Sequence, residues 1–166
     1  MEEKAMKQKQ SHTQHGFTLI EILSVLFICS LTTLSGMHQW KQHLEKQRLI
    51  DAARQLSEFI YSHMMEGVYL NRHQLLSIKI GKEGWGISVK DANTRQEIGK
   101  ITADKYQGIE LIRASRHSVD LYGKQGTSRA FSFELRNKDT DISIYISALG
   151  RIRACSKKNI VGLPKC

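Results

Sequence analysis

The residues best placed to do chemistry stand near the end of the chain, in SALGRIRACSKKNIVGLPKC. Arg151 and Arg153 are two positions apart, so on an extended backbone both guanidiniums point to one face while Ile152 turns to the core. Gly150 permits the sharp or bulged entry that so short a return strand needs. Lys157, Lys158 and Lys165 follow, and no acidic residue occurs after Asp141. With no local carboxylate to neutralise it, such an end suits phosphate oxygens, which two guanidiniums can bind bidentately. Few aromatic residues accompany the patch, so base stacking is not expected and the contacts would be sequence-independent. The alternative is that the arginines pair with their own sheet, or only keep an edge strand from aggregating.

A second group stands out by its position. Residues 16–30 read GFTLIEILSVLFICS, and Glu21 is the only charged residue from Phe17 to Trp40. An intramembrane carboxylate needs a partner, or must snorkel to the interface. Other chemistries find little support. The histidines are scattered, with no Cys-x-x-Cys or His-Glu-x-x-His spacing. Residues 123–128 (GKQGTS) have the composition of a phosphate loop without its spacing, and a hairpin turn is the better fit. Neither an enzyme, nor a cofactor, nor a metal site is expected.

The elements that must position these residues follow from patterning. Met1–Gly16 is polar and basic, and Phe17–Met37 is a 21-residue apolar run that as a helix spans roughly 30 Å, enough for one bilayer crossing. Basic residues before it and a long domain after it give an N-in, C-out orientation. Residues 41–166 carry 22 basic and 13 acidic side chains, so nearly all of the net +9 lies beyond the membrane run, which favours a polyanionic partner. Leu49, Ala53, Leu56, Ile60 and Met64 recur at helical spacing, giving a stem helix continuous with the membrane segment. Strands are expected at 75–80, 85–90, 97–102, 109–113, 118–122, 129–135, 141–148 and 151–154, punctuated by Gly and Asn/Asp turns. The class is α+β: a long N-terminal helix, its first half transmembrane, packed on an antiparallel β-sheet. Three parts result: a leader at 1–16, the membrane helix at 17–37, and a globular domain at 38–166.

Gly16-Phe17-Thr18-Leu19-Ile20-Glu21 resembles the processing site of type IV prepilins and type II secretion pseudopilins. The resemblance implies that a prepilin peptidase cuts after Gly16 and methylates Phe17. Glu21 then pairs with the freed amino group of a neighbouring pilin subunit as the filament grows. More narrowly, the chain is similar to the GspH/FimT-like family of minor pilins and pseudopilins. The pattern rests on Glu66-Gly67-Val68 leading into the first strand, the Gly84-Trp85 turn, and the closing glycine-arginine element. Gly150-Arg151-Ile152-Arg153 resembles the motif of FimT-type minor pilins, which implies DNA capture in natural transformation, with duplex DNA as the expected partner. Arg151 and Arg153 match that motif; Lys157, Lys158 and Lys165 join them only by proximity. A structural minor pilin, or a secretion pseudopilin without nucleic-acid binding, is the alternative.

The implied location is the inner membrane, single-pass, and then an extracellular or periplasmic pilus. In that compartment Cys155 and Cys166 are expected to form a disulfide, stabilising by roughly 2–3 kcal/mol and holding the lysines beside the arginine strand. Cys29, inside the membrane run, is expected to be a small packing residue.

Overall fold

The computed structural model describes residues 17–81, 84–123, 127–138 and 140–166, with the side chains of 34–36, 38 and 127 outside that description. Gly16 is therefore not among the described residues. The chain divides into two compact units, Met1–Lys41 and Gln42–Cys166.

In the first unit, helix α1 (Leu19–Leu70) begins. Thr18 caps it: its Oγ1 accepts the Glu21 N–H at 3.3 Å, one half of the capping box that Thr-x-x-Glu can form. Ser24, Ser30 and Thr33 donate their hydroxyls to carbonyls of Glu21, Phe27 and Cys29 at 2.8, 2.7 and 2.7 Å. Their polarity is thereby satisfied within the helix itself. Phe17 to Thr33 are all exposed, Cys29 included. Among the described residues no helix is long and apolar enough to cross a membrane. The expected span at 17–37 runs through the side chains at 34–36, outside the description.

In the second unit α1 buries Leu49, Ala53, Leu56, Ile60 and Met64, with Ala52 beside them. The helix ends in a Schellman turn. Asn71 takes the left-handed conformation (φ 50°), its N–H donates to Val68 O at 3.3 Å, and the Arg72 N–H donates to Gly67 O at 2.9 Å.

The strands form two antiparallel sheets rather than the single sheet expected. They are β1 (Gln74–Gly81), β2 (Gly84–Asp91), β3 (Glu97–Thr102), β4 (Glu110–Ala114), β5 (Ser118–Tyr122), β6 (Thr127–Ser128), β7 (Phe131–Asn137), β8 (Thr140–Ile146) and β9 (Ile152–Cys155). One sheet has the order β3-β2-β1-β5-β6 and the other β4-β7-β8-β9. The split arises because β5 returns to β1, Gln74 opposite Leu121, while β4 pairs with β7. Their inner faces and α1 share one core, which includes Leu76, Ile87, Val119, Phe133, Leu135 and Ile144. Trp85 donates its indole N–H to Ile109 O at 2.8 Å, fixing the segment just before β4. Tyr106 stacks on Trp85 and donates to Gln55 Oε1 at 3.0 Å, tying that segment to α1. Burial raises the Tyr106 hydroxyl pKa above its ordinary 10.0.

Candidate nucleic-acid interface

β8 and β9 form the hairpin that carries the arginines. Ile142, Ile144 and Ile146 are buried, while Tyr145 between them is exposed, as period-two alternation requires. The hairpin turn occupies 147–151. Gly150 has φ 75°, a conformation that side chains disfavour. Arg151 is pinned to Ser147 twice: its carbonyl accepts the Ser147 N–H at 2.9 Å, and its N–H donates to Ser147 Oγ at 3.1 Å. The strand itself begins at Ile152, one residue later than expected, because this turn claims Arg151.

Both arginine side chains are exposed. Among the described residues neither guanidinium has an ion-pair partner or a hydrogen-bond acceptor. Together they form a ridge. On one side is a surface pocket of about 590 Å³, lined by Ser115, Ser132, Tyr145, Ser147, Leu149 and both arginines among others. On the other is a groove against α1 that also includes Arg54, Glu58 and Tyr61.

The lysines stand apart from this ridge, and the expectation that no carboxylate lies near them is wrong. Lys157 approaches Glu134 at 3.6 Å. Lys158 helps to line a different recess, with Glu45, Lys46, Asn137 and Lys138. Asp141 is held below its ordinary pKa of 3.8, chiefly by its hydrogen bonds from Arg136 and further by the charges of Arg136, Lys157 and Lys158. The acidic residues come from β7 and β8, brought beside 157–158 by the pairing of β8 with β9. Other basic residues are also engaged: Arg116 donates to Ala130 O at 3.3 Å, and Lys138 pairs with Glu45 at 2.6 Å.

Arg136 binds Asp141 bidentately across the β7–β8 register, at 2.6 and 2.9 Å. A carboxyl held below its unfolded pKa stabilises the fold above that value and loses the contribution as pH falls through its folded pKa. Wild type is therefore expected to melt higher than Asp141→Asn at neutral pH, with the gap closing only below pH 3.8. Paired melts across that range check it; a gap unchanged by acid would dismiss the pair.

Cys155 and Cys166 are joined, with Cα atoms 5.0 Å apart. The closed tail is held further by backbone bonds from Ser156 N–H to Pro164 O at 3.1 Å and from Cys166 N–H to Ser156 O at 3.2 Å. Ile160 is buried and Ser156 Oγ donates to Asp141 O at 2.7 Å. Lys165 is exposed beside Ser156.

At the other end of the chain, Phe17 is exposed and the Glu21 carboxylate has no hydrogen-bond or ion-pair partner among the described residues. Two features escaped sequence reasoning. Thr18 as cap was signalled by Thr-x-x-Glu, and Tyr145 beside the arginines was signalled by the alternation Ile-Ser-Ile-Tyr-Ile. Among the described residues no group of His, Cys, Asp and Glu is arranged to hold a metal.

Residues 11–37 match the prokaryotic N-terminal methylation motif. The fold resembles the minor pilin FimU of the Pseudomonas aeruginosa type IV system at 18% identity and TM-score 0.53, over 66% of this chain and 89% of that one. It also resembles the minor pseudopilin EpsH of the Vibrio cholerae type 2 secretion system at 11% identity and TM-score 0.54, over 68% of this chain and 99% of that one. The fold is that of a type IV pilin. No curated protein matches this sequence. The chain thus joins an N-terminal methylation motif to a fold shared with a minor pilin and a minor pseudopilin. In this fold the second-unit part of α1 and the two sheets are scaffold, and the β8–β9 hairpin displays two guanidiniums that have no partner among the described residues.

Proposed function

We propose that this minor pilin is processed after Gly16, methylated at Phe17 and anchored through 17–37 in the inner membrane, N-terminus inside. It then enters a pilus, where it binds extracellular DNA for uptake. Glu21, lacking a partner among the described residues, pairs with the freed amine of a neighbouring subunit. The observation that carries the DNA reading is the arginine ridge: two exposed guanidiniums, without partners among the described residues, that line the same two recesses and take no part in the bonds holding their hairpin. Lys165 contributes long-range attraction. Lys157 and Lys158 contribute less than expected, because Glu134 and Asp141 offset their charge.

The test is DNA binding by the full chain in neutral detergent, by fluorescence anisotropy as a function of salt. Replacing both Arg151 and Arg153 by alanine is expected to weaken binding about tenfold or more at low salt. Losing two phosphate contacts should also flatten the log–log salt slope by about 1.8. The melting temperature should not change, since neither side chain is bonded among the described residues. Unchanged affinity and slope would remove the arginines from the interface. A second reading, a purely structural subunit, is favoured by the likeness to a secretion pseudopilin, and absence of binding even at low salt would establish it over the first.

A further inference from the structure

The pocket beside the arginine ridge has a composition that phosphate binding alone does not require. Tyr145 lies directly opposite Arg153 in the β8–β9 register, so the two side chains leave the sheet on the same face. Tyr145 is 49% exposed and Leu149, in the hairpin turn, 71%. Among the described residues the tyrosine ring has no aromatic partner and its hydroxyl no hydrogen bond. Both line the 590 Å³ pocket with Arg151 and Arg153, above the buried side chains of Phe131 and Ile146. Among the described residues no acidic side chain lines it, whereas the groove on the other side of the ridge adds both Glu58 and Arg54. On the Tyr145 side a phosphate therefore meets the two guanidiniums with no carboxylate in the lining.

An aromatic face and an exposed leucine beside two free guanidiniums match the two halves of a nucleotide. The guanidiniums take the phosphate and the ring takes the base. In a duplex the base faces are occupied by stacking on their neighbours, and only an unpaired nucleotide has one to offer. We infer that the pocket holds one unpaired nucleotide, its phosphate on Arg151 and Arg153 and its base on Tyr145, so that this pilin prefers single-stranded DNA or frayed ends to intact duplex. The inference rests on the DNA reading above and names the state of the DNA that it selects.

The test compares labelled single-stranded and duplex DNA of the same sequence and length, bound to the full chain in neutral detergent. Single-stranded DNA is expected to bind several-fold more tightly. Tyr145→Ala should weaken single-strand binding about tenfold, in line with the loss of one stacked base, while changing duplex binding less than twofold. Tyr145→Phe should retain the preference, and Tyr145→Leu, which keeps apolar bulk without a ring, should lose it. The salt slope should be unchanged in all three, because none removes a charge. If Tyr145→Ala weakens both forms equally, or neither, while replacing the arginine pair still weakens both, the nucleotide pocket is wrong and the DNA reading survives. If the arginine replacement is also without effect, or no DNA binds, both fail. A variant that melts below the wild type is replaced in the comparison by Tyr145→Leu against Tyr145→Phe, which differ in the ring and not in burial.

Discussion

Gly123→Ala is expected to lower the stability of the Gln42–Cys166 unit by about 3 kcal/mol, the upper range for overpacking, and its Tm by roughly 10 °C. Gly123 follows β5 and is packed onto the Schellman turn that ends α1. A methyl group there would lie 2.5 Å from the carbonyl oxygens of both Gly67 and Arg72, and 2.8 Å from the Arg72 nitrogen. These are backbone atoms, and Gly67 O and Arg72 N are the two ends of the bond that closes the turn. No rotamer change can relieve such a contact, so either the helix terminus or β5 must move. Because β5 pairs with β1 immediately after the turn, the displacement would strain the first sheet at its centre. Gly81→Ala is the matched control: its methyl would meet Gly84 O at 3.7 Å, an ordinary contact, and its melt should differ little from wild type. All buried apolar residues among those described lie in this unit, so thermal unfolding followed by circular dichroism reads the effect. A Gly123→Ala variant melting within a degree or two of wild type would refute the packing of β5 on the helix end.

Replacing Cys155 and Cys166 together by serine should remove roughly 2–3 kcal/mol, the loop-entropy value for a closure of this length. Reductant should lower the wild-type Tm by a similar amount and leave the double-serine variant unmoved. Cys155 is the last residue of β9, and the closed tail returns to Ser156, which is itself bonded to Asp141 of β8. Opening the loop thus frees the segment that carries Lys157, Lys158 and Lys165 and leaves Ile160 without a fixed site. The arginine ridge should survive, because β9 is held to β8 by its own ladder and Arg151 by Ser147. On the DNA reading proposed above, affinity should accordingly fall less than with the double arginine replacement. A wild-type Tm indifferent to reductant would show that the bond contributes nothing to stability.

Much of the scaffold was legible because its determinants are local. The buried face of α1 follows from the spacing of Leu49, Ala53, Leu56, Ile60 and Met64, and the strand at Glu97–Thr102 from its punctuation by turn residues. The partition into two sheets was not, because a strand's alternation is the same whichever neighbour it pairs with. The choice of β5 for β1, and of β7 for β4, is decided by packing between residues far apart in sequence. The same limit explains the misjudged lysines. Lys157 was read against its chain neighbours, where no acid occurs, but Glu134 lies two strands away in the sheet order and reaches it only once β7, β8 and β9 are assembled. Arg151 and Arg153 needed no such assembly to be noticed, since charge and spacing alone single them out. The residue between them and the rest of the sheet, Tyr145, required the register.

The β8–β9 hairpin is built so that its display and its architecture do not depend on each other. Its geometry comes from isoleucines facing inward, a glycine in the turn and main-chain bonds to Ser147, none of which involves the side chains at 145, 151 or 153. Those three positions are therefore free to vary without selection on folding resisting the change. On the proposed pilin role, a lineage carrying this chain could exchange one binding chemistry for another by substitution at a few exposed sites without altering the scaffold. The same property makes the hairpin a natural graft point for an engineered binding function on a pilus.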